Sequence, residues 1–230
     1  MAYQITTQVI WILFLSGILP ALLWLFFWLR EDRFQPEPRG LLILTFIAGA
    51  LSVFLVLPLG PIVTSLGING TEKIFIFAVA EEFVKFAAVF LIDFNSSYLD
   101  EPIDYAIYLI TGAIGFAAAE NVLFLLEPTL QQNISFVIET GTLRFLGATI
   151  LHSILGALHG LIIGFAFYKS RSTRLMFGVA GFFIVSILHT IFNYFIIKYV
   201  EIDGLLTLAI LWLLTLGIIA LFEKVRRINH

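Results

Sequence analysis

The chain has 230 residues, of which 60% are hydrophobic and 13% are charged. A soluble domain of this size could not bury so much apolar surface in one core, so the composition predicts an integral membrane protein. The formal net charge of -3 argues against a nucleic-acid partner, and the absence of cysteine excludes disulfides, thiol catalysis and thiolate metal sites.

Apolar runs recur along the whole chain, and each is long enough to cross a lipid bilayer, which takes about 20 helical residues. No positive charge precedes the first run and no small-residue cleavage site follows it, so we interpret it as a spanning helix and not as a signal peptide. In chain order the runs predict seven helices, at about residues 9–29, 40–66, 73–92, 103–127, 143–168, 174–197 and 204–222.

The connections between these runs are short. Pro58 and Pro61 predict a break or kink near Leu57 in the second helix. Residues 128–141 are too polar and too short to cross the membrane and are predicted to form a loop, with a short interfacial helix as the alternative. No polar interval is long enough to build a core of its own, so residues 1–230 are predicted to form a single membrane domain.

The basic residues predict the orientation of the helices. With the N-terminus outside, nine Lys and Arg residues fall in the inner connections and three in the outer ones, as the positive-inside rule requires. We therefore expect an all-α, polytopic protein of a cell membrane, with its N-terminus outside and its C-terminus in the cytoplasm.

Three ionisable residues interrupt the third apolar run. Glu81, Glu82 and Lys85 lie within five consecutive positions, and an ionisable group costs roughly 2.5 to 3.5 kcal/mol at the bilayer centre. The spacing of four favours an ion pair between Glu81 and Lys85, whereas Glu82 is rotated by about 100° on the helix. A purely structural ion pair is the alternative, but one lysine cannot neutralise two carboxylates.

Other polar residues fall at the same depth on neighbouring helices. Counted from the outer helix ends at about 1.5 Å per residue, this level lies about 10 to 14 Å into the membrane. Asn193 lies one helical turn from His189. His159 is two turns from His152 among glycines, which favours a structural hydrogen bond. The residues that share the level are Glu81, Glu82, Glu120, His152 and His189.

The shared level would gather carboxylates that activate water, imidazoles that bind a metal ion or move a proton, and an amide, Asn193, that donates to an oxyanion. Peptide hydrolysis without an acyl-enzyme fits this set, although the chain lacks His-Glu-x-x-His. Glu120 could also reach water near its helix end. A proton-coupled transporter or channel and a non-catalytic membrane scaffold use the same residue types and remain alternatives.

Four motifs follow one another on successive helices: Glu-Glu-x-x-Lys at 81–85, Phe-x-x-x-Glu-Asn at 116–121, His152, and His-x-x-x-Asn at 189–193. In this order, together with Gln-Pro-Glu-Pro at 35–38 and Asp104, the chain resembles the PrsW-type intramembrane proteases, which are relatives of the type II CAAX prenyl proteases. The resemblance implies an endopeptidase of the prokaryotic plasma membrane. Its substrate would be a membrane-tethered protein such as an anti-sigma factor, cut near the extracytoplasmic face.

The resemblance also implies roles for the site residues. Glu81 would activate water with Glu82 as its partner, His152 and His189 would be essential imidazoles, and Asn193 would lie on the oxyanion side. Glu120 stands where the CAAX enzymes have a histidine. Two readings of the chemistry therefore stay open: zinc held by Glu120, His152 and His189, or water activated by two carboxylates without a metal. No oligomeric state follows from the sequence.

Overall fold

The computed structural model describes residues 6–31 and 35–227, without the side chains of residue 31 and residues 198–205. Over the described residues the backbone contains helices and short connections and no strand. The helices are α1 (Thr7–Arg30), α2 (Arg39–Ser65), α3 (Gly70–Asp93), α4 (Asp104–Leu130), α5 (Ile134–Gly164), α6 (Arg171–Ile197) and α7 (Leu206–Arg226).

Six of these helices are long and apolar enough to cross a membrane. The exception, α3, has 24 residues and is therefore long enough, but it carries the ionisable residues that interrupt its apolar run. The prediction of an all-α, polytopic membrane protein is confirmed. The direction in which the helices cross the membrane stays a prediction.

Three helices depart from regular α geometry. The backbone of α2 is interrupted at Leu57 and Pro58, which confirms the predicted break. Residues Phe14–Ile18 of α1 and Arg144–Ala148 of α5 form π-helical turns, in which one additional residue is accommodated. Such turns are found frequently at functional sites.

The loop predicted for residues 128–141 is wrong except at residues 131–133, and the helical alternative fits the rest of the interval better. Helix α4 continues through Pro128 to Leu130, and α5 begins at Ile134. The polar residues here end and start helices, since the Asn133 side chain accepts a hydrogen bond from the backbone N–H of Phe136, as an N-cap does. The polar composition therefore made the connection appear longer than it is.

Helical hydrogen bonding continues through the link between α6 and α7, although the sequence predicts two separate helices. The contacts with α5 nevertheless show two antiparallel arms. Gly147, near one end of α5, lies against both Phe192 and Leu208, whereas Gly164, near the other end, faces Val225. The chain therefore reverses direction between α6 and α7, as expected for two membrane crossings.

The central helix of the bundle is α4, which packs against α1, α2, α3 and α5. Its small residues allow neighbouring backbones to approach closely, as is common between membrane helices. A Cβ atom on Gly49 of α2 would lie 2.0 Å from the carbonyl oxygen of Gly112, and one on Gly160 of α5 would lie 2.3 Å from the Cα atom of Ala106. These contacts bring α2 and α5 onto different faces of α4.

We predict that Gly49→Ala destabilises the protein by about 1 to 3 kcal/mol, because the new methyl group forces α2 and α4 apart. Gly60→Ala is the matched control, since a Cβ atom there meets no atom within 4 Å. Thermal unfolding in detergent measures both. Equal stability of the Gly49 variant and the wild type would contradict the packing described here.

Candidate active site

The middle of α3 directs its ionisable side chains into the bundle. Glu81, Glu82 and Lys85 are 8%, 4% and 3% exposed, whereas Phe83 between them is 58% exposed. The helix therefore presents an apolar side chain to the lipid and charged ones to the protein interior, where ionisable residues of membrane helices are tolerated.

Glu82 is held by two partners. Its Oε1 atom lies 2.5 Å from Lys85 Nζ and 2.7 Å from His189 Nδ1 of α6. The predicted pair between Glu81 and Lys85 is therefore wrong. Spacings of three and four are both within reach on a helix, and His189 holds the Glu82 carboxylate next to the lysine.

The ring of His189 is oriented by these contacts. In the neutral tautomer that donates Nδ1–H to the Glu82 carboxylate, the Nε2 atom carries the ring's lone pair. That atom lies 3.5 Å from Glu81 Oε2. The Glu81 side chain makes no ion pair with any Lys or Arg of the described residues, so it faces an imidazole nitrogen and no fixed cation.

Glu81, His152 and His189 meet inside the bundle. One ligand atom from each residue lies within 4.8 Å of the other two, and the two imidazole rings are 5.2 Å apart, edge to face. All three residues are buried. In the part of the chain that the structure describes, no other three His, Asp or Glu side chains come together in this way.

His152 connects two further site residues. Its Nδ1 atom lies 2.9 Å from Lys85 Nζ, and its Nε2 atom lies 3.2 Å from Glu120 Oε2. An ammonium group can only donate, so Nδ1 accepts the hydrogen bond from Lys85. Nε2 therefore carries the ring hydrogen and donates it in a hydrogen bond to Glu120. A polar chain from Lys85 through His152 to Glu120 thus joins α3, α5 and α4.

Glu120 lies at the edge of this group. Its Oε2 atom accepts from Arg144 Nη2 at 2.5 Å, and Arg144 Nε donates to Asn121 Oδ1 at 2.5 Å. The sequence favours Glu120 as the carboxylate ligand beside His152 and His189, whereas the structure places Glu81 between the imidazoles and pairs Glu120 with an arginine.

Sequence reasoning missed Arg144. It counted this residue only as a charge in an outer loop, because the fifth helix was taken to begin at about residue 143. The structure shows instead that α5 begins nine residues earlier in sequence, at Ile134, and that Arg144 lies in its π turn, 13% exposed. Had the fifth helix been extended toward Ile134, Arg144 would have stood out as an arginine inside an apolar helix.

Two predicted residues lie outside the central group. Asn193 is half-buried one turn beyond His189, and its side chain makes no hydrogen bond to another described site residue. His159 donates to the carbonyl oxygen of Gly178 at 3.0 Å and stacks on Phe86. The structural role predicted for His159 is confirmed.

The remaining motif residues fasten the first connection to the start of α4. Tyr108 donates a hydrogen bond to the carboxylate of Glu37, and Gln35 donates to Glu101. The Oδ2 atom of Asp104 accepts from the backbone N–H groups of Asp100 and Glu101. These residues belong to the opposite end of α4 from Glu120.

Known proteins match the part of the chain that contains these site residues. The PrsW family of intramembrane metalloproteases matches residues 37–221 of the chain. The protease PrsW of Geobacillus kaustophilus is 27% identical over 206 residues, which are 86% of this chain and 86% of the relative. That of Oceanobacillus iheyensis is 29% identical over 213 residues, 87% and 91% of the two chains. No solved structure matches the chain significantly.

We predict that Lys85→Met destabilises the protein by about 3 to 5 kcal/mol, because it removes one partner of a buried ion pair and leaves the Glu82 charge uncompensated. Combining it with Glu82→Gln removes that charge and should restore most of the lost stability. The free energy of unfolding in mixed detergent measures both variants. A double variant that is no more stable than Lys85→Met would show that the pair does not carry the cost.

Proposed function

Because the chain belongs to the PrsW family of intramembrane metalloproteases, we propose that Glu81, His152 and His189 form the catalytic centre of this peptidase. The chain is a multi-pass protein of a bacterial cell membrane, and membership of a protease family decides against the transporter and scaffold alternatives. The observation that carries the proposal is the buried meeting of one carboxylate and two imidazoles within 4.8 Å.

This donor set fits a zinc ion. Two imidazoles and one carboxylate that leave a fourth position open are a usual catalytic zinc site. His189 is already prepared, since Glu82 holds its Nδ1–H and leaves Nε2 for the metal, as second-shell carboxylates do. His152 also fits once Lys85 moves away from Nδ1, which frees the lone pair of that nitrogen while Nε2–H stays on Glu120.

Bound zinc would supply Lewis-acid chemistry, which polarises a carbonyl group and activates water. The protein's own residues divide the other tasks. Glu81 has two proposed tasks, one for each carboxylate oxygen: one oxygen would hold the ion, and Oε1, which makes no hydrogen bond with a described residue, would accept the proton from water. Glu82 orients His189, and Glu120 orients His152.

Asn193 is the proposed donor to the oxyanion that develops on the scissile carbonyl. Its position one turn from His189 supports this role, because substrate bound beside the imidazole would lie within reach of the same helix face. The half-buried side chain retains both amide hydrogens for a ligand, since no described residue accepts from it.

The proposed substrate is a single-span, membrane-tethered protein of the anti-sigma-factor type, cut near the extracytoplasmic face. Support comes from the orientation predicted by the basic residues and from the resemblance of the motifs. The charged site residues lie within a helical bundle, where water must enter through a cavity. Cleavage would then take place within the outer part of the bilayer.

We predict that Glu81→Gln and His189→Ala each lower cleavage at least about 100-fold, which is the usual contribution of a positioned acid or base. The assay co-expresses each variant with a tagged single-span anti-sigma factor, and mass spectrometry identifies the new terminus. Glu127→Gln is the control, because Glu127 is exposed and bonds only to Gln131 among the described residues. Undiminished cleavage by both folded variants would place the active site elsewhere.

A further inference from the structure

We propose that Arg144 is a positioning residue of the active site, which acts by fixing the Glu120 carboxylate against His152. The inference rests on the proposed catalytic centre and adds a residue that none of the motifs contains. It follows from the contacts of the guanidinium group and from the π turn that carries it.

Arg144 contacts three side chains on one face of α4. Its Nη2 atom donates to Glu120 Oε2 at 2.5 Å, and its Nε atom donates to Asn121 Oδ1 at 2.5 Å. The guanidinium carbon lies 4.1 Å from the centroid of the Phe124 ring. Two hydrogen bonds and an aromatic face together fix the plane of the guanidinium, which a single ion pair would not do.

The oxygen that Arg144 holds is also the one that contacts the catalytic group. Glu120 Oε2 accepts from Arg144 and from Nε2 of His152, at 2.5 and 3.2 Å. Without the guanidinium, Glu120 would be an uncompensated charge at membrane depth and would turn toward water. Its hydrogen bond to His152 would then be lost, and the imidazole would lose its fixed orientation.

The π turn supplies the required register. Arg144 and His152 are eight residues apart, which in a regular α-helix separates their directions by about 80°. The additional residue accommodated by the turn at Arg144–Ala148 brings the two side chains to the same face of α5, where both reach Glu120. The turn is also pinned from α4, since Asn121 Nδ2 donates to Thr149 Oγ1 at 3.1 Å.

A merely structural Arg144 would tie α4 to α5 and affect only stability. A positioning Arg144 acts through Glu120, so the two substitutions should not be additive in their effect on the reaction. The experiment is therefore a double-mutant cycle with Arg144→Gln, Glu120→Gln and both together, each with its thermal stability recorded. Arg171→Gln is the control, because Arg171 is exposed at the start of α6 and makes no ion pair or side-chain hydrogen bond with a described residue.

Two readouts are measured on full-length protein in detergent: turnover of the single-span substrate, and affinity for zinc in competition with a chelator. We predict that Arg144→Gln lowers kcat about tenfold or more with KM changed less than about twofold. Zinc affinity should fall about tenfold, the usual effect of a lost second-shell partner. In the Glu120→Gln background, Arg144→Gln should change either quantity by less than about twofold.

Arg144→Lys keeps a cation beside Glu120 without the bond to Asn121, so its kcat should lie between those of the wild type and Arg144→Gln. It replaces Arg144→Gln in the cycle if the latter does not fold. Losses that multiply in the double variant, or an Arg144→Gln protein with wild-type kcat and zinc affinity, would overturn the proposal. Failure of Glu81→Gln to impair cleavage would instead refute the catalytic centre itself.

Discussion

The buried carboxylate of Glu82 is the constraint on which the site depends. It lies between Lys85 Nζ and His189 Nδ1, at 2.5 and 2.7 Å, and is 4% exposed. A charge at this depth is retained only with such partners. The same contacts join α3 to α6, direct Nε2 of His189 inward, and occupy the lysine that would otherwise neutralise Glu81. One ion pair thus positions a helix, a histidine and the proposed base.

The three acidic residues of the site differ mainly in their partners. Glu82 is paired with Lys85 and Glu120 with Arg144, whereas the ion-pair partner of Glu81 among the described residues is an imidazole. A carboxylate held by a direct cation contact is less available to bind a metal ion or to accept a proton. In the proposed mechanism, the two paired carboxylates therefore orient histidines, and Glu81 takes part in the reaction.

Much of this arrangement could be predicted from sequence, because the cost of burying charge in a membrane is large and local. This cost singled out Glu81, Glu82 and Lys85 in the sequence. The predicted helix lengths then placed Glu120, His152 and His189 at the same depth. The pairing within that level could not be predicted, since His189 decides whether Lys85 meets Glu81 or Glu82. The π turn could not be predicted either, because an additional residue in a helix leaves no pattern in the composition. This turn determines the direction of the Arg144 side chain.

The identity of the carboxylate ligand provides the most direct test. The structure places Glu81 beside the two histidines, whereas the motif pattern favours Glu120. Zinc per chain should be measured in the wild type, Glu81→Gln and Glu120→Gln, purified in detergent with zinc in excess. The structure predicts about one zinc in the wild type and in Glu120→Gln, and a large loss in Glu81→Gln, because Glu81 is the carboxylate within 4.8 Å of both imidazole ligand atoms. Full zinc in Glu81→Gln with loss in Glu120→Gln would contradict it.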